Sequence, residues 1–202
     1  LEDNPYGLLY FDKKVPDALR SLDDNVIYLG SFSKILAPGF RVGYVLAPPA
    51  IREKLVLAQE SAILCPSMFS QSMISEYLDS SDWQGQIDTF RGVYKERRDA
   101  ALEAMTEYLP KLSTTQPDGG FYLWITLPDG IDSKAMLPLA VKELVAYTPG
   151  TAFYGDGTGH NKLRICYSFP TPENINLGIK RLATVINLQT ELLETFNREG
   201  SK

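Results

Sequence analysis

The stretch Asn25-Val-Ile-Tyr-Leu-Gly-Ser-Phe-Ser-Lys34-Ile-Leu-Ala-Pro-Gly-Phe-Arg41-Val-Gly-Tyr-Val-Leu-Ala47 carries the strongest signal in this chain. Asn25–Gly30 is a β-branched and aromatic run closed by glycine, which predicts a buried strand. Arg41–Ala47 predicts a second strand, stopped by Pro48-Pro49. Between them Ser31–Phe40, with its serines, proline and glycine, predicts a loop. Lys34 sits in that loop, after the hydroxyls of Ser31 and Ser33 and before Arg41. Serines donate short hydrogen bonds and arginine adds a forked, permanently charged donor, so this grouping suits a phosphate. A lysine beside a phosphate cradle suggests a Schiff base with a phosphorylated aldehyde.

Outward from this loop, helical spacing dominates from Ala50 to Leu109. The last helix places Tyr94, Ala101, Met105 and Tyr108 on one face and ends at Pro110. The texture then changes to alternating strand and helix. Phe121–Leu127 predicts a strand, and a helix follows from Asp132, as its N-cap, to Val145. Short strands are expected at Val145–Thr148 and Lys162–Ser168. Thr171-Pro172-Glu173 opens a further helix whose apolar face is Ile175, Ile179, Leu182 and Ile186. The expected division is a first domain over residues 1–97 and a small α+β domain over 98–202, joined within a long helix near Arg97.

The 202 residues, 44% of them hydrophobic, can bury a real core, and the net charge of -5 offers no broad basic surface. Nucleic acid and anionic membrane are therefore not expected partners of this stretch, and small molecules are. Cys65 and Cys166 stand far apart with no CxxC spacing, and are expected to be buried, reduced thiols. The one histidine, His160, falls in the polar stretch Gly155–Asn161, read as a solvated loop, which argues against histidine-based catalysis and metal sites. With no charged, apolar leader and no membrane-length apolar run, a cytoplasmic location is the expectation.

Ser31-Phe-Ser-Lys34 followed by Ala37-Pro-Gly-Phe-Arg41-Val-Gly43-Tyr44 closely resembles the lysine signature of the class I and II (fold-type I) aminotransferases, which use pyridoxal 5'-phosphate (PLP). Asp3-Asn-Pro-Tyr6 resembles the family's D-x-x-Y element, and Pro117-Asp-Gly-Gly-Phe121 with Leu163-Arg164 resembles its C-terminal domain. The likeness runs along essentially the whole chain and is nearest in flavour to the aminoadipate, kynurenine and aromatic aminotransferases. The same pattern occurs in the aminotransferase-like half of MocR-type transcription regulators. It implies an α/β fold: the C-terminal portion of the PLP-binding large domain (1–97) followed by a small α+β domain (98–202).

The resemblance also implies roles. Lys34 would hold PLP as a Schiff base and, once freed, carry the proton of the exchange. Asp3 would face the pyridine nitrogen, and Tyr6 would donate to the cofactor's 3' oxygen. Ser31, Ser33 and Arg41 would hold the phosphate. Arg164 is read as an inward-pointing arginine on a strand that needs an anionic partner; in the family that partner is the substrate's α-carboxylate, and a structural salt bridge is the competing account. Gly119-Gly120 would allow close backbone approach near the mouth of the site, or simply turn the chain into a strand. The function implied is transfer of an amino group between an amino acid and a 2-oxo acid by a homodimeric enzyme. A MocR-like sensor domain and a PLP-dependent lyase are the alternatives. About half of the family's catalytic domain would lie ahead of Leu1, so this stretch is expected to be inactive by itself.

Overall fold

The computed structural model describes residues 1–13 and 15–199. In chain order the elements are β1 (Glu2–Asp3), β2 (Tyr28–Ser31), β3 (Gly43–Leu46), α1 (Pro49–Ile63), α2 (Met68–Ser80), α3 (Trp83–Tyr108), β4 (Ser113–Thr114), β5 (Tyr122–Thr126), α4 (Ser133–Lys142), β6 (Thr148–Pro149), β7 (Lys162–Cys166) and α5 (Pro172–Glu199). The chain divides into two compact units. One comprises Leu1–Gly92 with Asp118–Gly120, the other Val93–Pro117 with Phe121–Lys202.

In the first unit β1, β2 and β3 form a sheet in that order, β1 parallel to β2 and β3 antiparallel to it. The strand expected over Asn25–Gly30 is realised as Tyr28–Ser31 and is half-buried rather than buried. The strand expected over Arg41–Ala47 shortens to Gly43–Leu46 and is exposed throughout. The chain ahead of β2 is used in turns, with Asp23 Oδ1 accepting from the Asn25 backbone N–H, and Arg41 is held in a turn conformation. α1 opens with Pro49 at its first position and buries none of its residues. α2 starts where Ser67 Oγ accepts from the Ser70 backbone N–H. Leu9, Ile74 and Ile87 supply this unit's buried hydrophobic side chains among the described residues.

The second unit is an antiparallel sheet in the order β4-β5-β7-β6, accompanied by α4, α5 and the part of α3 after Gly92. Strand alternation divides the faces. Phe121, Leu123, Ile125 and Leu127 are buried with Leu163, while Tyr122, Trp124 and Thr126 are only half-buried. α3 buries Ala101, Ala104 and Met105, and α5 buries Ile175, Ile179, Leu182 and Ile186, the face expected from the spacing. Asp132 caps α4 by accepting from the Lys134 and Ala135 N–H groups. α4 ends at Lys142 rather than Val145, because Val145 N–H donates to Ala140 O and Leu144 N–H to Val141 O, with Leu144 at φ 61°. This paired closure is a Schellman motif. It moves the following strand to Thr148–Pro149. The two-residue strands β1 and β4 leave too little pattern to be seen in sequence.

Both cysteines are free, and both are exposed rather than buried. Cys166 lies on the less buried face of β7, where its Sγ is 3.1 Å from Ser168 Oγ. No described helix is long and apolar enough to cross a membrane.

Candidate active site

Parallel register matches Asp3 to Leu29, so β1 and β2 finish at one edge of the first unit's sheet. β3 runs back with Gly43 opposite Ser31, so it starts at that edge. The candidates therefore gather at one end of the sheet: Asp3 closing β1 with Tyr6 just beyond, Ser31 closing β2 with Ser33 and Lys34 just beyond, and Arg41 two residues ahead of β3. Carboxyl ends of parallel strands are where open α/β sheets place their ligands.

The Lys34 loop is closed at its base by Phe32 N–H donating to Val42 O, 3.2 Å, and turned by Leu36 N–H donating to Phe32 O, 2.9 Å. Within it the Ser33 N–H donates to Ser31 Oγ, 3.1 Å. Lys34 is half-buried in the turn and Asp3 is exposed. Arg41 is left-handed, φ 55° and ψ 38°, where it turns the chain out of Pro38–Phe40 toward β3. Such a conformation costs a non-glycine residue on the order of 1–3 kcal/mol and tends to occur at functional turns. Arg41 Nη1 donates to Pro38 O, 3.1 Å, and the guanidinium has no carboxylate partner among the described residues.

Aromatic rings line this part of the sheet. A Cβ built on Gly30 would lie 2.1 Å from the Tyr44 ring, so glycine is what lets Tyr44 lie across β2. Tyr44 stacks on Tyr28 at 6.3 Å between centroids and tilts against Phe32 at 5.4 Å. Burial, then the neighbouring Tyr44 and Glu2, push the Tyr28 phenol above its ordinary pKa. A cavity of about 170 Å³ opens here among Asn4, Tyr28, Ser31, Ile35 and Tyr44. No cluster of histidine, cysteine and carboxylate side chains suited to a metal occurs among the described residues. His160 is exposed in a loop of the second unit, its Nδ1 3.2 Å from Asp132 Oδ2.

Arg164 belongs to the second unit. It stands opposite Trp124 in the β5–β7 register, on the face away from buried Leu163, so it does not point into the core as its apolar neighbours suggested. Period two puts Leu163 inside and its neighbour outside. The guanidinium carbon lies 4.0 Å from the Tyr122 ring centroid and 4.5 Å from that of Phe153. Arg164 Nε is buried and makes no hydrogen bond, and the side chain has no carboxylate partner among the described residues. Among the described residues Arg164 makes no salt bridge. No local pattern pointed to Tyr122 and Phe153 at this arginine, since sheet register and a separate upstream turn bring them there.

The family model for aminotransferase class I and II matches residues 3–182. The chain belongs to this family. A class I and II aminotransferase relative, aromatic-amino-acid aminotransferase 1 of Thermococcus litoralis, is 43% identical over 92% of this chain and 45% of its own length. The structure of α-aminoadipate aminotransferase from Thermus thermophilus, complexed with N-(5'-phosphopyridoxyl)-L-leucine, is 36% identical over 95% of this chain and 50% of its own, with a TM-score of 0.88. An HTH-type transcriptional regulator of Bacillus subtilis is 32% identical over 91% of this chain and 38% of its own length. The chain spans about half the length of the curated aminotransferases it matches.

Proposed function

We propose that the whole protein is a PLP-dependent aminotransferase that moves an amino group between an amino acid and a 2-oxo acid, with Lys34 as its cofactor lysine. The observation that carries this reading is the gathering of one amine, two hydroxyls, one carboxylate, one phenol and one guanidinium at a single end of the β1–β3 sheet. The donor set fits the cofactor. Arg41 has no counter-ion among the described residues, and two serine hydroxyls stand before the lysine, as a phosphate ester attached to an aldehyde requires. On this reading residues 1–97 belong to the cofactor-binding large domain and 98–202 to the small domain.

PLP, when bound, supplies an aldehyde carbon that accepts the amino group and a ring that draws electrons from the substrate α-carbon. Lys34 Nζ holds the cofactor covalently in the resting protein and, as a free amine, takes the α-proton of the amino acid. The Asp3 carboxylate holds a proton on the ring nitrogen. Tyr6 donates its phenol hydrogen to the ring oxygen. Ser31, Ser33 and Arg41 bind the phosphate. Arg164 binds the α-carboxylate shared by amino acid and 2-oxo acid, and its lack of any carboxylate partner among the described residues supports this.

The whole protein works in the cytoplasm as a homodimer. Ile63, Leu64, Met68 and Phe69, all at least 60% exposed along the α1–α2 segment, support burial of this surface against further protein. We infer that the 202-residue chain by itself does not turn over amino acids, since it spans about half the length of the aminotransferases it matches.

The likeness to an HTH-type regulator favours a second reading, an aminotransferase-like sensor domain attached to a DNA-binding one. Assaying the whole protein with panels of amino acids and 2-oxo acids separates the two. Turnover with exchange between both substrates is expected. A protein that loads PLP, shifts its spectrum with amines, never releases a 2-oxo acid and binds DNA would establish the second reading instead.

A further inference from the structure

We propose that Phe153 and Tyr122 are positioning residues that fix the plane of the Arg164 guanidinium, and thereby the fork it offers to a substrate carboxylate. This rests on the reading of Arg164 as the carboxylate contact. An arginine is ordinarily held by hydrogen bonds, yet Arg164 Nε is buried without one, and no side chain or backbone oxygen takes its other donors among the described residues. What touches its guanidinium is aromatic: Tyr122 at 4.0 Å and Phe153 at 4.5 Å from the guanidinium carbon. Stacking uses the face of the cation and leaves its in-plane N–H donors free, so the rings orient the group without competing for a ligand's oxygens.

The fold places both rings. Arg164 faces Trp124 across β5–β7, and Tyr122 is two residues along β5 from Trp124, hence on the same face and diagonal to the arginine. Phe153 arrives from the Gly150–Phe153 turn between β6 and β7. That turn is seated where a Cβ on Gly150 would lie 2.4 Å from Gly159 O and 2.5 Å from Lys162 Cβ, so only glycine permits the approach. Trp124 then braces Phe153 edge-on, with 5.3 Å between centroids and an 81° angle between the rings, and tilts against Tyr154 at 6.2 Å. Trp124 supports Phe153, and Phe153 with Tyr122 orients Arg164.

The test compares Phe153→Leu, Phe153→Tyr and Arg164→Ala, alone and combined, in the whole protein loaded with PLP. Phe153→Leu is expected to lower kcat/KM by about three- to thirtyfold for amino acid and 2-oxo acid alike, the range of a partly desolvated cation–π contact. An amine lacking an α-carboxylate should lose less than twofold. Phe153→Tyr, which keeps the ring face, should recover most of the loss. The affinity for 3-phenylpropionate, a carboxylate that is not turned over, should fall in step by calorimetry. In the Arg164→Ala background Phe153→Leu should add nothing. If Arg164→Ala discriminates against carboxylate substrates while Phe153→Leu adds its full loss on top, or harms both substrate types equally, the positioning role is overturned and the reading of Arg164 stands. If Arg164→Ala shows no such discrimination, the reading of Arg164 fails and the positioning role fails with it.

Discussion

Gly119 lies so close to Leu9 that a Cβ built on it would stand 2.5 Å from the Leu9 carbonyl oxygen. Tyr10 bridges Gly119, Gly120 N–H donates to Leu9 O at 3.0 Å, and Phe11 N–H donates to Asp118 O at 2.7 Å. A backbone oxygen tied into this bridge cannot swing aside as a side chain can. Gly119→Ala is therefore expected to destabilise the chain by about 1–3 kcal/mol, the ordinary cost of overpacking, seen as a lower urea midpoint. A midpoint unchanged from the parent would show that the bridge yields freely.

The same glycine shows how far the sequence could be read. Gly119-Gly120 stood out as a place of close backbone approach, but nothing local says that the approaching segment is Leu9–Tyr10, far away in the chain. Asp132 as a cap and the Ile175–Ile186 face of α5 were legible because capping and helical spacing are local. The six residues at the sheet end were legible through the long Ser31–Tyr44 pattern and the short element at Asp3–Tyr6. Their convergence depends on parallel pairing between β1 and β2, which a two-residue strand cannot announce. The exposure of Cys166 and the outward setting of Arg164 follow from strand phase, which apolar neighbours on both sides obscured, while Cys65 is exposed in the bend between α1 and α2.

Leu144 holds the left-handed position of the Schellman closure of α4 while 77% exposed. A left-handed non-glycine residue costs about 1–2 kcal/mol, and glycine's extra unfolded-state freedom returns about 0.5–1. Leu144→Gly is thus expected to stabilise the chain by about 0.5–1 kcal/mol, measured by urea unfolding. Destabilisation would mean that the leucine side chain contributes more than its exposure indicates.

Asp132 caps α4, and hydrogen bonds from the backbone N–H groups of Ala135 and Lys134, then from His160, hold its carboxyl below its ordinary pKa. A depressed folded-state pKa contributes stability above the ordinary carboxylate value near about 4, and that contribution is lost as pH falls through the lowered value. Asp132→Ala is expected to cost about 1 kcal/mol at about pH 7. The gap from the parent protein should close as pH falls below about 4. A gap independent of pH would separate the loss from the charged cap.

Tyr147 is buried and its hydroxyl donates to Ser133 O at 2.6 Å. Burial, then the Asp132 charge, raises its pKa well above the ordinary tyrosine value. The folded protein therefore holds this proton more tightly than the unfolded chain, and the stability it lends is present below pH about 10 and falls as pH rises beyond it. Tyr147→Phe should cost about 0.5–1.5 kcal/mol at about pH 7 by removing this hydrogen bond, which the Ser133 carbonyl accepts in addition to the one it takes as the first residue of α4. It should also flatten the alkaline decline in thermal midpoint above about pH 10. An equally steep decline in the variant would assign the alkaline loss to other groups.

The most direct measurement concerns Lys34. The whole protein is incubated with PLP, reduced with borohydride, digested, and its peptides are mapped by mass. The expected result is a phosphopyridoxyl group on the Lys34 side chain, with Lys34→Ala protein retaining its fold by circular dichroism and yielding no labelled peptide. A label on any other lysine of the parent protein, or a stable label in the Lys34→Ala variant, would contradict the assignment of Lys34 as the residue that holds the cofactor.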